Sequence, residues 1–202
     1  MKKICSSLIV VIVFLTSLCY AKLAPTTLEE VIKYSDYIVI GQVSQVFYLQ
    51  GIQIAEVDVK ETLKGDKKKK LYYLVKCKFV CDEGEAKEGE VALFFFWEGV
   101  NPFFEATKDF TDELNKITNG ASLLNITRYG EGRMPIKLVL DKLLFYVTFS
   151  IDGIRLPKNI TPLPSKNKYE YYRLVPLIDM IRFIRLKIDE EKQEKLKAHL
   201  KL

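Results

Sequence analysis

The stretch Ser35–Asp66, SDYIVIGQVSQVFYLQGIQIAEVDVKETLKGD, decides the fold. It holds two consecutive strand patterns, Tyr37–Tyr48 and Ile52–Leu63, joined by a short link containing Gly51. The first is dense in β-branched and aromatic residues and stays mostly apolar through Val43, as a strand covered on both faces would. The second alternates, with Val57 and Val59 on one face and Glu56, Asp58 and Lys60 on the other, the period-2 mark of a half-buried strand. Together they predict the founding hairpin of an antiparallel sheet, after which Lys64-Gly65-Asp66 turns the chain.

Immediately upstream, Thr27-Leu28-Glu29-Glu30 forms a capping-box pattern just after Pro25, and Leu28, Val31 and Ile32 share a face. A short helix over Leu28–Tyr34 is therefore predicted. Glu29 and Glu30 complement its dipole and are not read as an acidic site.

Downstream, Leu71–Val80 reads as a third strand and Val91–Trp97 as a fourth, separated by a polar connection over Asp82–Glu90. The fourth, VALFFFW, is predicted to be central with both faces covered, which assigns its aromatic run to core. Gly99–Asn125 reads as an insertion between strands, with helical turns over Thr111–Ile117 that point Phe110, Leu114 and Ile117 inward and end at Asn119-Gly120. Loops of that length carry function more often than short ones do. Asn125–Tyr129 and Ile136–Leu140, around Gly130-Glu131-Gly132, suggest another hairpin, and Leu143–Phe149 a further strand. Pro157, Pro162 and Pro164 mark an extended link. From Leu174 the period is helical, with Leu174, Leu177, Ile178, Ile181, Ile184 and Ile188 in one stripe and Pro176 in the first turn. Beyond Asp189 charge dominates, with Glu191 and Lys195 spaced as an i,i+4 pair.

The chain has 202 residues, 49% hydrophobic, which suits one domain with a sizeable core. Met1–Ala21 fits an export signal: basic Lys2 and Lys3, an apolar run over Leu8–Leu15, and small residues before a cut after Ala21. The run is far short of the ~20 residues that a bilayer span needs. The expected organisation is thus a signal peptide over 1–21, one domain over 22–188 and a charged extension over 189–202. Losing Lys2 and Lys3 lowers the net charge from +5 to +3, too mild to argue for a nucleic-acid partner.

Cys5 and Cys19 leave with the signal, so Cys77 and Cys81 remain in an exported chain, where disulfides persist. An extended segment of that length spans ~13 Å and a disulfide needs Cα atoms within ~7 Å. Pairing therefore requires a turn between them, and spacing alone leaves it open. Lys67, Lys68, Lys69 and Lys70 form a candidate binding surface for an anionic partner, with a solvated loop that protects a strand end as the other reading.

The chemistry-bearing residue types are sparse. His199 is the only histidine and lies near the C-terminus. There is no P-loop, dinucleotide glycine pattern or CxxC. Asp109 with Asp112 and Asp82 with Glu83 are acid pairs of the kind a surface carries by chance, which does not amount to a two-carboxylate hydrolase site. Asn125-Ile126-Thr127 and Asn159-Ile160-Thr161 match the N-glycan acceptor pattern.

In order, the early helix, SDYIVIGQVSQV, AEVDVKETLKGD, GEVALFFFW, the RYGEGRMPI turn and the PLIDMIRFIRLKI helix resemble a family of uncharacterised exported bacterial proteins. That family is similar to the netrin-like domain, the N-terminal domain of tissue inhibitors of metalloproteinases. The resemblance covers Thr26–Ile188 and implies a five-stranded OB-type barrel flanked by helices. In the metalloproteinase inhibitors an N-terminal cysteine binds the protease zinc, whereas here the expected first residue is Lys22.

The expected fold is therefore mainly β: an OB-like antiparallel β-barrel with a short N-terminal helix and a C-terminal amphipathic helix. The expected function is that of an exported, non-catalytic binding or interaction module, periplasmic or secreted. It would use no cofactor or metal, no nucleic acid and no membrane span after signal cleavage, and its partner would be a protein or polysaccharide. The alternative is a secreted protease inhibitor of the metalloproteinase-inhibitor type.

Overall fold

The structure, a computed structural model, describes residues 26–76, 85–101, 104–127, 132–139, 144–150, 153–164 and 172–199. The export signal, the expected start at Lys22, and Cys77 and Cys81 lie outside the described residues.

A two-residue strand, β1 (Thr26–Thr27), runs directly into α1 (Leu28–Tyr34). The capping box forms as the sequence predicts. The Glu30 amide donates to Thr27 Oγ1 at 3.2 Å, and the Thr27 amide donates to Glu30 Oε2 at 2.9 Å. Leu28, Val31 and Ile32 are all fully buried, the inward face expected of the helix.

The founding hairpin pairs β2 (Tyr37–Leu49) with β3 (Ile52–Lys64) through the two-residue turn Gln50-Gly51. Both turn residues have positive φ, 51° and 78°, so the turn's twist matches that of the strands it joins. Between Val43↔Val57 and Gln45↔Glu56 the register shifts, leaving Ser44 as an extra residue on β2. Next, β4 (Lys70–Lys76) pairs antiparallel with β3, and β5 (Val91–Trp97) pairs antiparallel with β2. After α2 (Lys108–Thr118), β6 (Leu123–Ile126) runs parallel to β4 and antiparallel to β5. The pairings thus run β5-β2-β3-β4-β6 and return to β5 through two residue pairs, Phe96↔Ile126 and Trp97↔Asn125.

On the other side of β5 the sheet continues through β7 (Arg133–Val139) and β8 (Leu144–Ser150). A short strand, β9 (Ile154–Arg155), pairs in parallel with β1. The last strand, β10 (Tyr172–Pro176), pairs with β8 and leads into α3 (Leu177–His199). The fold is mainly β, with one eight-stranded sheet, a two-stranded pair and three helices among the described residues.

The strand VALFFFW is central, as expected. Ala92, Phe94 and Phe96 enter a core with Tyr37, Val39, Val57 and Tyr73, while Leu93 and Phe95 enter a second core with α1, β7, β8 and α3. Phe94 and Phe96 stack at 5.3 Å, and Tyr73 leans on both. The aromatic run is core and not a ligand platform.

Two expectations are corrected. Among the described residues, the segments on either side of the Gly130-Glu131-Gly132 turn signal form no strand ladder with each other, and one backbone bond joins them, from the Gly132 amide to the Thr127 carbonyl at 3.0 Å. Instead, β6 and β7 lie in succession along β5, at its C-terminal and N-terminal ends, and the Phe95 backbone bonds Thr127 and Gly132 between them. The C-terminal helix starts at Leu177 and not at Leu174, because Leu174–Pro176 completes β10. Its buried residues are Met180, Phe183, Ile184 and Ile188, while Ile178 is exposed. Glu191 pairs with Lys64 on β3 at 3.3 Å, and Arg185 with Glu61 at 2.6 Å, so α3 is tied to the hairpin.

Candidate functional site

The insertion between β5 and β6 is built around α2. Thr107 caps the helix by accepting from the Phe110 amide at 3.2 Å, and Asn119 in the left-handed region ends it. The sequence "KDFTDELNKIT" is amphipathic: Phe110, Leu114 and Thr118 are buried, and Asp109 and Asp112 are exposed. Phe110 and Leu114 pack with Leu49 and Ile54 on the face of the hairpin away from the Phe94 core, and the Phe104 ring meets Phe110 edge-on at 4.9 Å. Ile117, expected to point inward, is only half-buried.

Between α2, the segment that precedes it and the β4–β6 pair lies an open hollow of ≈ 860 Å³. Leu74, Phe104, Phe110, Leu114, Leu123 and Asn125 line it, together with Val100, Asn101 and Glu105 from the connecting segment. Asn125 is 5% exposed. Its Nδ2 donates to the Gly99 carbonyl at 3.0 Å, and its Oδ1 accepts from Asn101 Nδ2 at 2.9 Å. These bonds tie the loop to β6 and make Asn125 a poor glycan acceptor, whereas Asn159 is exposed. Glu105 is the one charged residue among the described residues of the lining, and Val100 is 88% exposed. Such an arrangement can hold an apolar group and fix a polar one at its end.

The lysine block is divided by its neighbours. Lys70 is on β4, 2.6 Å from the buried Glu56 carboxylate. Burial works against the charge of Glu56, but hydrogen bonds from Lys70, Ser44 and Tyr72 outweigh it and hold the carboxyl below its ordinary range. The same contact with Glu56 raises Lys70. Lys68 lies 4.6 Å above the Tyr37 ring and 3.8 Å from Glu98, and Tyr37 first, then Glu98 and Asp66, raise its pKa. Lys67 and Lys69 are exposed and have no ion pair among the described residues. The four lysines therefore do not converge on one point.

His199 is exposed on α3, with Nδ1 2.8 Å from the Lys195 carbonyl. Among the described residues, no group of three His, Cys, Asp or Glu side chains is placed to hold a metal ion, and no helix is long and apolar enough to cross a membrane.

The sequence pointed to the Gly99–Asn125 insertion but not to Leu74, which reaches the hollow from β4, nor to Glu56. The period-2 pattern placed Glu56 on a polar face, and only the cross-strand pairing reveals that Tyr72 and Lys70 cover it. In comparisons with known proteins, no family model and no curated sequence matches the chain.

Proposed function

We propose that the chain is an exported, non-catalytic binding module built on an OB-like β-barrel, and that it binds its ligand in the hollow between α2 and the β4–β6 pair. The barrel reading is supported by the order of pairings, β5-β2-β3-β4-β6 and back to β5, with one parallel pair between β4 and β6. OB-type barrels bind through the face of their second and third strands and through adjoining loops, including the one between the fourth and fifth strands. In this chain those elements correspond to β3, β4 and the β5–β6 insertion that carries α2. A single observation carries the functional reading: an ≈ 860 Å³ hollow, largely apolar and with a buried, hydrogen-bonded asparagine in its lining, opens at the β5–β6 insertion and is walled by Leu74 of β4. Function does not follow from the fold alone, and the hollow itself is what supports this reading.

Thermal-shift screening of a small-molecule fragment library against the wild-type chain and Leu123→Arg tests this reading. Leu123 is half-buried at the start of β6 and packs at the edge of the Phe110 cluster, so the variant puts a charge into the hollow without entering either of the two larger cores that flank β5. Fragments are expected to raise the Tm of the wild type and to lose that effect on the variant. Hits that stabilise both proteins equally, or a screen without hits, would contradict the hollow as the binding site.

A further inference from the structure

We propose that the hollow selects a small amphiphile with an aryl or alkyl body and an uncharged or cationic head, and discriminates against the matching anion. This deepens the binding-module reading and rests on it. Leu74, Phe110 and Leu114 are buried side chains that offer the body an apolar wall. The edge-on pair of Phe104 and Phe110 adds an aromatic surface that suits a further ring. The volume of ≈ 860 Å³ is in the range of small-molecule sites.

The head is chosen by what lines the hollow. The two hydrogen bonds of Asn125 use one of its amide N–H groups and one acceptor position, which leaves a donor and a lone pair for a neutral polar group. Among the described lining residues Glu105 is the only charged one, and none is a lysine or arginine. An ammonium head would meet a carboxylate there. A carboxylate or phosphate head would lose water without gaining a counter-charge, and would face Glu105 as well. Val100, apolar yet 88% exposed beside the hollow, is a side chain that such a ligand would cover.

A matched series tests the selection: 4-phenylbutylamine, 4-phenylbutyramide and 4-phenylbutyrate share one body and differ in the head. Binding to the full chain is measured at low salt by calorimetry and by the fluorescence of Trp97. This residue is the chain's single tryptophan, and its indole lies against Gly99, whose carbonyl holds Asn125. The amine and the amide are expected to bind, the amine about fivefold more tightly than the carboxylate, a size set by an exposed charge pair. Glu105→Gln is expected to bring the amine to the level of the amide, and Glu105→Lys to favour the carboxylate over the amine. Glu105 is exposed, so neither change touches a core. If all three bind equally and Glu105 variants change nothing, the hollow stands as a site and the head selection is overturned. If none binds at millimolar concentration, the selection is overturned together with the hollow as a site.

Discussion

Glu56 lies in the middle of β3 with only 7% of its surface exposed, and three neighbours fix its charge. Lys70 Nζ and Ser44 Oγ donate to its Oε1 at 2.6 and 2.7 Å, and Tyr72 lies opposite on β4. Ser44 is available for this because the bulge in β2 frees it from the ladder register. Since the folded carboxyl titrates below its ordinary 4.5, its ionisation stabilises the fold above that value, and the contribution disappears as pH falls through the folded value. Glu56→Gln is expected to cost about 1–3 kcal/mol at neutral pH, from strained or lost charged hydrogen bonds. In urea melts the gap between wild type and variant should narrow below about pH 4. A gap that stays constant to about pH 3 would show that ionised Glu56 is not the stabilising species.

At the scale of elements, the parts legible in the sequence were those whose cause is local. The capping box of α1 and the hairpin turn each depend on residues within a few positions of one another. Thr27→Ala removes the acceptor for the Glu30 amide, and thermal melts should show a loss of about 1 kcal/mol. The succession of β6 and β7 along β5 was not legible, because Gly130-Glu131-Gly132 carries an ordinary turn signal and only β5 decides which strand each segment meets. Gly132 has a specific task there. A Cβ at that position would lie 2.8 Å from the Thr127 carbonyl oxygen and 3.0 Å from that of Phe95, both backbone atoms that cannot swing away. Gly132→Ala is therefore expected to cost about 1–3 kcal/mol in denaturant melts, and a neutral result would mean that Gly132 is not held closely against the Thr127 and Phe95 backbone. The strand β10 was missed for a related reason. Leu174, Val175 and Pro176 run into α3 without a turn residue, and Pro176 is equally at home at a strand end and in a helix's first turn.

Across the whole molecule, β5 divides two cores, and α3 closes the one formed with α1, β7, β8 and β10. A chain that ends at Asp189 keeps Met180, Phe183, Ile184 and Ile188 and loses the Lys64–Glu191, Lys187–Glu190 and Asp189–Lys192 pairs, a change expected to cost about 1–2 kcal/mol. Ending the chain at Pro176 removes those four buried side chains, each worth about 1.5–3 kcal/mol. That sum rivals the total stability of a domain, so the cooperative thermal transition should be lost. A cooperative melt of the shorter chain would place α3 outside the core. The hollow belongs to this scale too, since β4, β6, α2 and the segment before it each supply part of its lining. The sequence marked the insertion by its length and irregularity, but no local pattern could show that Leu74 and Asn125 would share one wall, because that depends on β6 pairing in parallel with β4. The most direct test of the binding surface is an amide chemical-shift map of the full chain titrated with 4-phenylbutyramide. The largest shifts are expected at Leu74, Phe110, Leu114, Leu123 and Asn125, and a map centred on Lys67–Lys70, or one without shifts, would contradict the hollow as the place where this protein binds.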